Sequence, residues 1–147
     1  MNAEALEAAI VKEIEALGIP AGLYPQKPGE YIPAAYPGEV LVRYTGTTYA
    51  AADVSSARKE RTQVVEIVVV SQELRGEAGA YTWLDRIRMA LEGLVLLNTA
   101  GTLRLEAEEF LDEYGGTWQF GQKWNLTTNY IYEYQDDYAE RSLSTSH

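Results

Sequence analysis

Near the middle of the chain lies the run Val64-Val65-Glu66-Ile67-Val68-Val69-Val70, in which six of the seven residues are β-branched. Side chains that branch at Cβ are stiff in a helix and pack well on a pleated strand. A run that lacks regular alternation of apolar and polar residues is typical of a strand buried on both faces. We therefore predict a central strand over 63–71, around which the rest of the domain is arranged.

A second strand is predicted just upstream, over 39–45, because its residues alternate between two faces. One face holds Val40, Val42 and Tyr44, and the other holds Leu41 and Arg43. The segment 46–62 between the two strands is rich in small and polar residues. We expect it to form a long hairpin tip that is mobile in the free protein and becomes ordered on assembly.

Downstream of the central strand, helical periodicity returns over about 80–94, where apolar side chains recur every three or four residues. A strand over 103–110, a tight turn at Gly115-Gly116 and a half-buried strand from Trp118 follow. The apolar residues of this last strand share one parity, and they are Trp118, Phe120, Trp124 and Leu126. Thr128-Asn129 is a candidate interruption of the strand.

The chain begins with a predicted helix over 2–17, which Gly18 and Pro20 end. Its apolar stripe consists of Leu6, Ile10, Ile14 and Leu17. All five prolines lie between positions 20 and 37, together with three tyrosines. Because proline fixes φ and removes a backbone donor, we interpret 17–38 as an extended, irregular connection rather than a helix or a central strand.

This order of elements indicates an α+β domain. We predict a single domain over 1–147, with a mostly antiparallel sheet of four to five strands and two main helices packed on one face. The segment 135–147 is predicted to be an acidic, mobile tail. A chain of 147 residues can bury a core without a disulfide or a structural metal.

The composition excludes several kinds of active site. The chain has no cysteine, and its one histidine, His147, is the last residue. A thiol nucleophile and a thiolate zinc site are therefore excluded, and a Ser-His-Asp triad is disfavoured. The formal charge of −10 disfavours general binding to nucleic acid. Because Met1 precedes an acid-rich amphipathic segment and no apolar run reaches about 20 residues, we expect a soluble intracellular protein.

Two further patterns carry little chemistry. Gly76-Glu77-Ala78-Gly79 precedes a helix, but a phosphate loop would have more glycines or a final Lys-Ser/Thr pair. The acids over 106–113 do not match the calcium-loop spacing and have no accompanying histidine or base. We expect Glu106 and Glu108 to point outward together on a solvated strand face. We therefore predict no catalytic, metal-binding or cofactor-binding residue, and no enzyme.

A basic cluster and a large supply of tyrosine favour an assembling protein. Arg58-Lys59-Glu60-Arg61 places three bases in four positions of an acidic chain, where they suit either solvent or an acidic partner, including another copy. Tyrosine, of which the chain has eleven, is enriched in protein interfaces because it combines large area with a polar group. The candidate interface residues are Arg58, Lys59, Arg61, Tyr130, Tyr132 and Tyr134.

Several segments also follow one another in a distinctive order after the amphipathic first helix. They are Tyr24-Pro25, Val40-Leu41-Val42-Arg43-Tyr44-Thr45-Gly46, Leu74-Arg75-Gly76, Gly79-Ala80-Tyr81, Leu84-Asp85-Arg86-Ile87-Arg88, Leu91-Glu92-Gly93 and Trp118-Gln119-Phe120. In order and spacing, the chain over 3–134 resembles the small Mu-like phage and prophage proteins grouped with tail terminators. No single segment is diagnostic of this family.

The resemblance implies a tail-terminator-like fold and a six-fold ring at the head-proximal end of a tail tube. Such a ring stops growth of the tube and joins the tail to the neck. The implied partners are further copies of the chain as a homohexamer, the tail tube protein, a neck or connector protein and, in a contractile tail, the last sheath ring. DNA would pass the lumen without specific binding, which the acidic surplus suits.

The implied location is the virion, at the tail and neck, after assembly in the host cytoplasm. The candidate interface residues would then meet either a neighbouring subunit or the tube protein. The alternatives are another neck or head-completion component and, from a different class, a monomeric small-ligand binding domain. A carboxylate-based hydrolase is the least favoured alternative.

Overall fold

The computed structural model describes residues 1–27, 29, 35–51, 58–96 and 101–131. This part of the chain forms α1 (Ala3–Glu15), β1 (Ala21–Leu23), β2 (Gly38–Ala51), β3 (Arg58–Ser71), α2 (Ala80–Leu91), β4 (Leu103–Tyr114) and β5 (Thr117–Ile131). The strands make one sheet in the order β1-β2-β3-β5-β4. β1 is parallel to β2, and the other neighbouring pairs are antiparallel. The predicted α+β class, with a mostly antiparallel sheet and two helices, is confirmed.

Strand β3 lies at the centre of the sheet, between β2 and β5. Its odd-numbered apolar residues, Val65, Ile67 and Val69, belong to the main core. Its even-numbered residues Val68 and Val70 are buried on the opposite face, in a cluster that also holds Leu41 and the partly buried Tyr24. The prediction that this strand is buried on both faces is therefore confirmed.

Both helices cover the same face of the sheet. The helix residues buried in the main core are Leu6, Ile10, Ile14, Ala80, Trp83, Leu84, Ile87 and Leu91. Trp124 and Leu126 of β5 face them, as their shared parity predicted. Full burial of each large apolar side chain contributes about 1.5–3 kcal/mol, so this layer supplies most of the driving force for folding.

Helix α1 is fixed at its start and against the sheet by polar contacts. The side chain of Asn2 accepts a hydrogen bond from Ala5 N at 2.7 Å, which satisfies one of the free N–H groups of the first turn. Glu7 accepts a hydrogen bond from Tyr44 N on β2 at 2.8 Å. Helix α1 therefore seals the core and also satisfies a backbone donor of β2.

The opposite face of the sheet carries polar contacts beside its small apolar cluster. Arg43 Nη2 on β2 lies 2.6 Å from Glu66 Oε1 on β3, and the Arg43 guanidinium lies 4.6 Å from the centre of the Tyr24 ring. The two charged residues are neighbours in the strand register. This pairing explains why one glutamate is tolerated in the valine-rich run.

Strands β2 and β3 extend further than the sequence predicted. Residues 47–51 of β2 pair with 59–63 of β3, so most of the predicted tip over 46–62 is strand. The physical reason is that β5 also pairs with β3 as far as the partners Arg58 and Ile131, which supplies hydrogen bonds on the second edge of this polar segment. The remainder of the predicted tip, 52–57, lies outside the described residues.

Three smaller boundaries also differ from the predictions. The connection over 17–38 contains β1, a short parallel edge strand rather than wholly irregular chain. Strand β4 continues to Tyr114, and Thr128-Asn129 does not interrupt β5. The predicted tail over 135–147 lies outside the described residues.

A bulge in β4 changes the positions of its acids. Leu105 pairs with Trp124 but Ala107 pairs with Lys123, so one extra residue is inserted between them. Glu106 then lies near Lys123, with 3.4 Å between Oε2 and Nζ, whereas Glu108 contacts Gln122. The prediction that Glu106 and Glu108 point the same way is wrong, because the bulge reverses the alternation between them.

Gly38 offers a test of how closely β2 packs at its first residue. Its φ is +148°, and an added Cβ would lie 2.0 Å from Val70 O. We expect Gly38→Ala to lower the free energy of unfolding by about 2–3 kcal/mol, because both the backbone conformation and the space exclude a side chain. Gly46→Ala on the same strand is the control, since its added Cβ has no heavy atom within 4 Å. Urea unfolding measures both, and equal effects would contradict the expectation.

Candidate interaction surfaces

Two surfaces at opposite ends of the sheet stand out once the fold is known. We call the first the basic end, formed by Tyr49, Arg58, Lys59, Arg61 and Tyr130. We call the second the aromatic hairpin, formed by Tyr81, Phe110, Asp112, Glu113, Tyr114, Trp118 and Phe120. Within the described ranges, no group of three or more acidic or histidine side chains is arranged to hold a metal ion. No helix in that part of the chain is both long and apolar enough to cross a membrane.

The basic end is assembled by strand register. Lys59 of β3 is directly opposite Tyr130 of β5, and Arg61 is directly opposite Tyr49 of β2. Arg58 is placed opposite Ile131. The structure thus brings the predicted bases and Tyr130 together on adjacent strands, although they are about 70 positions apart in sequence.

The bases of this surface have different surroundings. The Lys59 Nζ lies 5.9 Å from the centre of the Tyr49 ring, and that ring is half exposed. Arg61 instead donates from Nη2 to Met1 O at 3.3 Å, beside Gln63, which donates to the same oxygen at 2.9 Å. Arg61 therefore helps to hold the start of the chain on the sheet, a role that its position in a basic cluster did not indicate.

The predicted interface residues Tyr132 and Tyr134 lie outside the described residues. Their proposed part in an interface stays a prediction.

The aromatic hairpin is built from the end of the β4–β5 hairpin and the start of α2. Phe110 stacks edge to face on Phe120 at 5.7 Å and on Trp118 at 6.3 Å between ring centres. Tyr81 of α2 packs edge to face on Phe120 at 5.8 Å. Phe110 is 55% exposed and Tyr114 is 83% exposed. Among the described residues these rings form a connected aromatic cluster that is left partly exposed.

Acidic side chains surround these rings. Between Arg104 and Lys123 the chain has five acids and no base. Asp112 and Glu113 are exposed beside the turn, and each accepts a backbone hydrogen bond, Asp112 from Glu113 N and Glu113 from Gly116 N. The aromatic hairpin is therefore negatively charged beside its turn, whereas on its helix side the guanidinium of Arg75 lies 5.8 Å from the centre of the Tyr81 ring.

A buried amide connects this hairpin to the core. Gln122 of β5 is fully buried, and its Nε2 donates to Leu84 O of α2 at 2.9 Å and to Glu108 of β4 at 2.8 Å. Its Oε1 accepts from Trp124 Nε1 at 3.1 Å. The Gln122 side chain thus links α2 to both strands of the hairpin. It therefore holds the part of the hairpin next to the exposed rings in a fixed position.

Sequence reasoning did not identify the aromatic hairpin. The shared parity predicts a half-buried strand from Trp118, and it says nothing about Phe110 on the preceding strand. The available signal was the pair Phe110-Leu111 within an otherwise acidic strand, shortly before the Gly115-Gly116 turn. Apolar residues so near a hairpin turn lie at the margin of the core, where little of their surface can be buried.

A tyrosine of the connection is held near the same end of the sheet. The Tyr36 hydroxyl donates to Glu73 Oε1 at 2.8 Å. The hydrogen bond to this carboxylate, followed by desolvation and the repulsion of its charge, raises the pKa of Tyr36. The phenol therefore remains a hydrogen-bond donor to a higher pH than an isolated tyrosine would.

Comparison with known proteins gives one family and one fold. A family model described as Gp37 protein matches residues 17–145. A chain in the solved structure described as the virion of a native gene transfer agent particle matches with a TM-score of 0.55 and 16% sequence identity. That match covers 85% of the present chain and 95% of the other, and at this identity it shows a shared fold. No curated protein matches.

The Gln122 network can be tested by removing its polar groups. We expect Gln122→Leu to lower the free energy of unfolding by about 2–3 kcal/mol, because the Leu84 carbonyl and the Trp124 N–H would lose a buried partner. Gln119→Leu on the same strand is the matched control and should change stability by less than about 0.5 kcal/mol, since Gln119 is partly exposed. Urea unfolding measures both. A loss for Gln122→Leu no larger than the control's would show that the network contributes little.

Proposed function

We propose that this chain, which belongs to the Gp37 protein family, is a structural component of a phage-like particle. Within that particle we propose that it acts as a tail terminator. In this role it forms a ring at the head-proximal end of the tail tube, stops growth of the tube and joins the tail to the neck. The observation that carries the proposal is the likeness to a chain of an assembled virion, over 95% of that chain. The order of the sequence segments supports the finer assignment.

The positions of the two surfaces suit a ring. A closed ring of identical subunits uses a heterologous contact, in which one patch meets a different patch of the next copy. The basic end and the aromatic hairpin differ in chemistry and lie at opposite ends of β3 and β5. We propose a homohexamer, about 98 kDa for six chains of 16.4 kDa.

The charge of the chain suits a passage for DNA. A net charge of −10 repels phosphate, so DNA would move through the lumen of the ring without specific binding. The protein partners in the proposal are the tail tube protein, a neck or connector protein and, where the tail is contractile, the sheath. The place of action is the virion, after assembly in the host cytoplasm, and the role includes no catalytic step.

The basic end is proposed as a contact with an acidic neighbour, either another subunit or the tube protein. Arg58, Lys59 and Tyr130 carry this part of the proposal. Arg61 already contacts the start of its own chain, so replacing it would disturb folding as well as assembly. Experiments on the contact should therefore change Arg58 and Lys59 and leave Arg61 in place.

A second candidate is another neck component, such as a connector or head-completion protein. The same likeness to a virion chain favours it, because the match carries a fold and no position in the particle. A terminator stays with headless tails, whereas a head-completion protein stays with tailless heads. Fractionation of the two half-particles therefore separates the candidates.

Deleting the gene for this chain in cells that produce particles tests the terminator proposal. We expect tail tubes of uncontrolled length without attached heads, because nothing would stop addition of tube subunits. Electron microscopy measures the distribution of tube lengths, and immunogold labelling locates the chain on wild-type tails. Supplying the wild-type chain from a second copy of its gene is the control and should restore uniform length. Tubes of normal length in its absence, with the chain found on heads, would favour the second candidate.

A further inference from the structure

In a monomer, the aromatic hairpin would leave large apolar side chains exposed to water, which is unfavourable in free energy. Phe110 and Tyr114 expose most of their surface to water, and their neighbours Trp118 and Phe120 are only partly buried. Large aromatic side chains that are exposed together typically anchor protein interfaces, and a polar rim commonly surrounds such anchors. Asp112 and Glu113, exposed beside the turn, give this end of the hairpin a negative charge that fits a partner offering positive charge.

The chain itself carries a matching surface. In the basic end, Arg58 and Lys59 stand near the tyrosines Tyr49 and Tyr130 in the strand register. Lys59, the second residue of β3, and Ser71, its last residue, are twelve positions apart, which is roughly 40 Å at the ordinary rise of a strand. Because Ser71 pairs with Trp118 of the aromatic hairpin, the two surfaces of one copy cannot meet. Contact between them requires a second molecule.

We propose that the aromatic hairpin of one copy binds the basic end of the next copy. This inference rests on the proposed self-assembly and names the two surfaces that form its interface. The exposed rings supply the apolar centre of the contact. Asp112 and Glu113 of one copy face Arg58 and Lys59 of its neighbour. Because each copy carries one surface of each kind, the contact repeats from head to tail.

Charge reversal on either surface isolates this contact. The acid-reversed variant carries Asp112→Lys and Glu113→Lys, and the base-reversed variant carries Arg58→Glu and Lys59→Glu. Each variant alone presents like charges at every interface, and opposed like charges suppress association. We expect each to cap at least about tenfold fewer tails than wild type when it replaces the wild-type chain in particle-producing cells.

The mixture of the two variants gives the decisive measurement. An acid-reversed hairpin is complementary to a base-reversed end, and the unchanged surfaces of the two variants are complementary as well. Co-expression should therefore restore capped tails to within about twofold of wild type, in rings that alternate the two chains. Native mass spectrometry of the caps would show the two chains in equal number.

The apolar centre has its own matched pair of variants. Phe110→Ser should reduce capping by about tenfold while the monomer stays folded, because the side chain is already half exposed. Met89→Ser on α2 is the control, since Met89 is 76% exposed and lies outside the aromatic hairpin. Circular dichroism and thermal unfolding verify that all variants remain folded.

The remaining outcomes separate this inference from the proposed function. If the wild-type chain restores tail length and each reversed variant alone also restores it, the pairing of surfaces is overturned. The terminator role then stays intact. Reversed variants that fail alone and also fail as a mixture would overturn the pairing as well. Wild type that does not restore tail length would overturn the terminator role itself.

Discussion

Burial of β3 on both faces, with a paired strand at each edge, is the constraint on which the rest of the structure depends. Val65, Ile67 and Val69 require an apolar layer on one side, and α1 and α2 provide it. On the opposite side, Val68 and Val70 are buried in a smaller cluster with Leu41 and the partly buried Tyr24. The strand is thus covered on both faces, and its two ends lie nearer to the margins of the sheet. Both candidate surfaces lie there.

The parts of the fold that hydrophobic pattern determines could be predicted from the sequence. The valine-rich run placed β3, alternation placed the start of β2, and helical periodicity placed both helices near their observed bounds. The polar halves of β2 and β3 could not be predicted, because their stability comes from pairing with β5, a partner distant in sequence. The bulge after Leu105 was equally hidden, since an extra residue alters facing without altering composition.

Only part of the candidate surfaces could be predicted from the sequence, because the rest depends on strands that are distant in sequence. Charge alone indicates Arg58, Lys59 and Arg61, but only the strand register places Tyr130 opposite Lys59. Only the folded structure shows that Arg61 donates a hydrogen bond to Met1 O. The aromatic hairpin depends on contacts between elements distant in sequence, such as Tyr81 of α2 with Phe120 of β5, which are tertiary. Gln122 holds that hairpin to α2, so its rings are presented in a fixed arrangement. Such preorganisation lowers the entropy lost on binding.

The bulged outer strand β4 also affects how copies of the chain can pair with one another. Strand β4 forms one edge of the sheet, and a straight edge of twelve residues would invite unlimited backbone pairing between molecules. Two changes of register, after Leu105 and after Phe110, together with a row of carboxylates, make that edge irregular and mutually repulsive. Such an edge disfavours backbone pairing between copies, so that association is left to side-chain surfaces elsewhere on the domain.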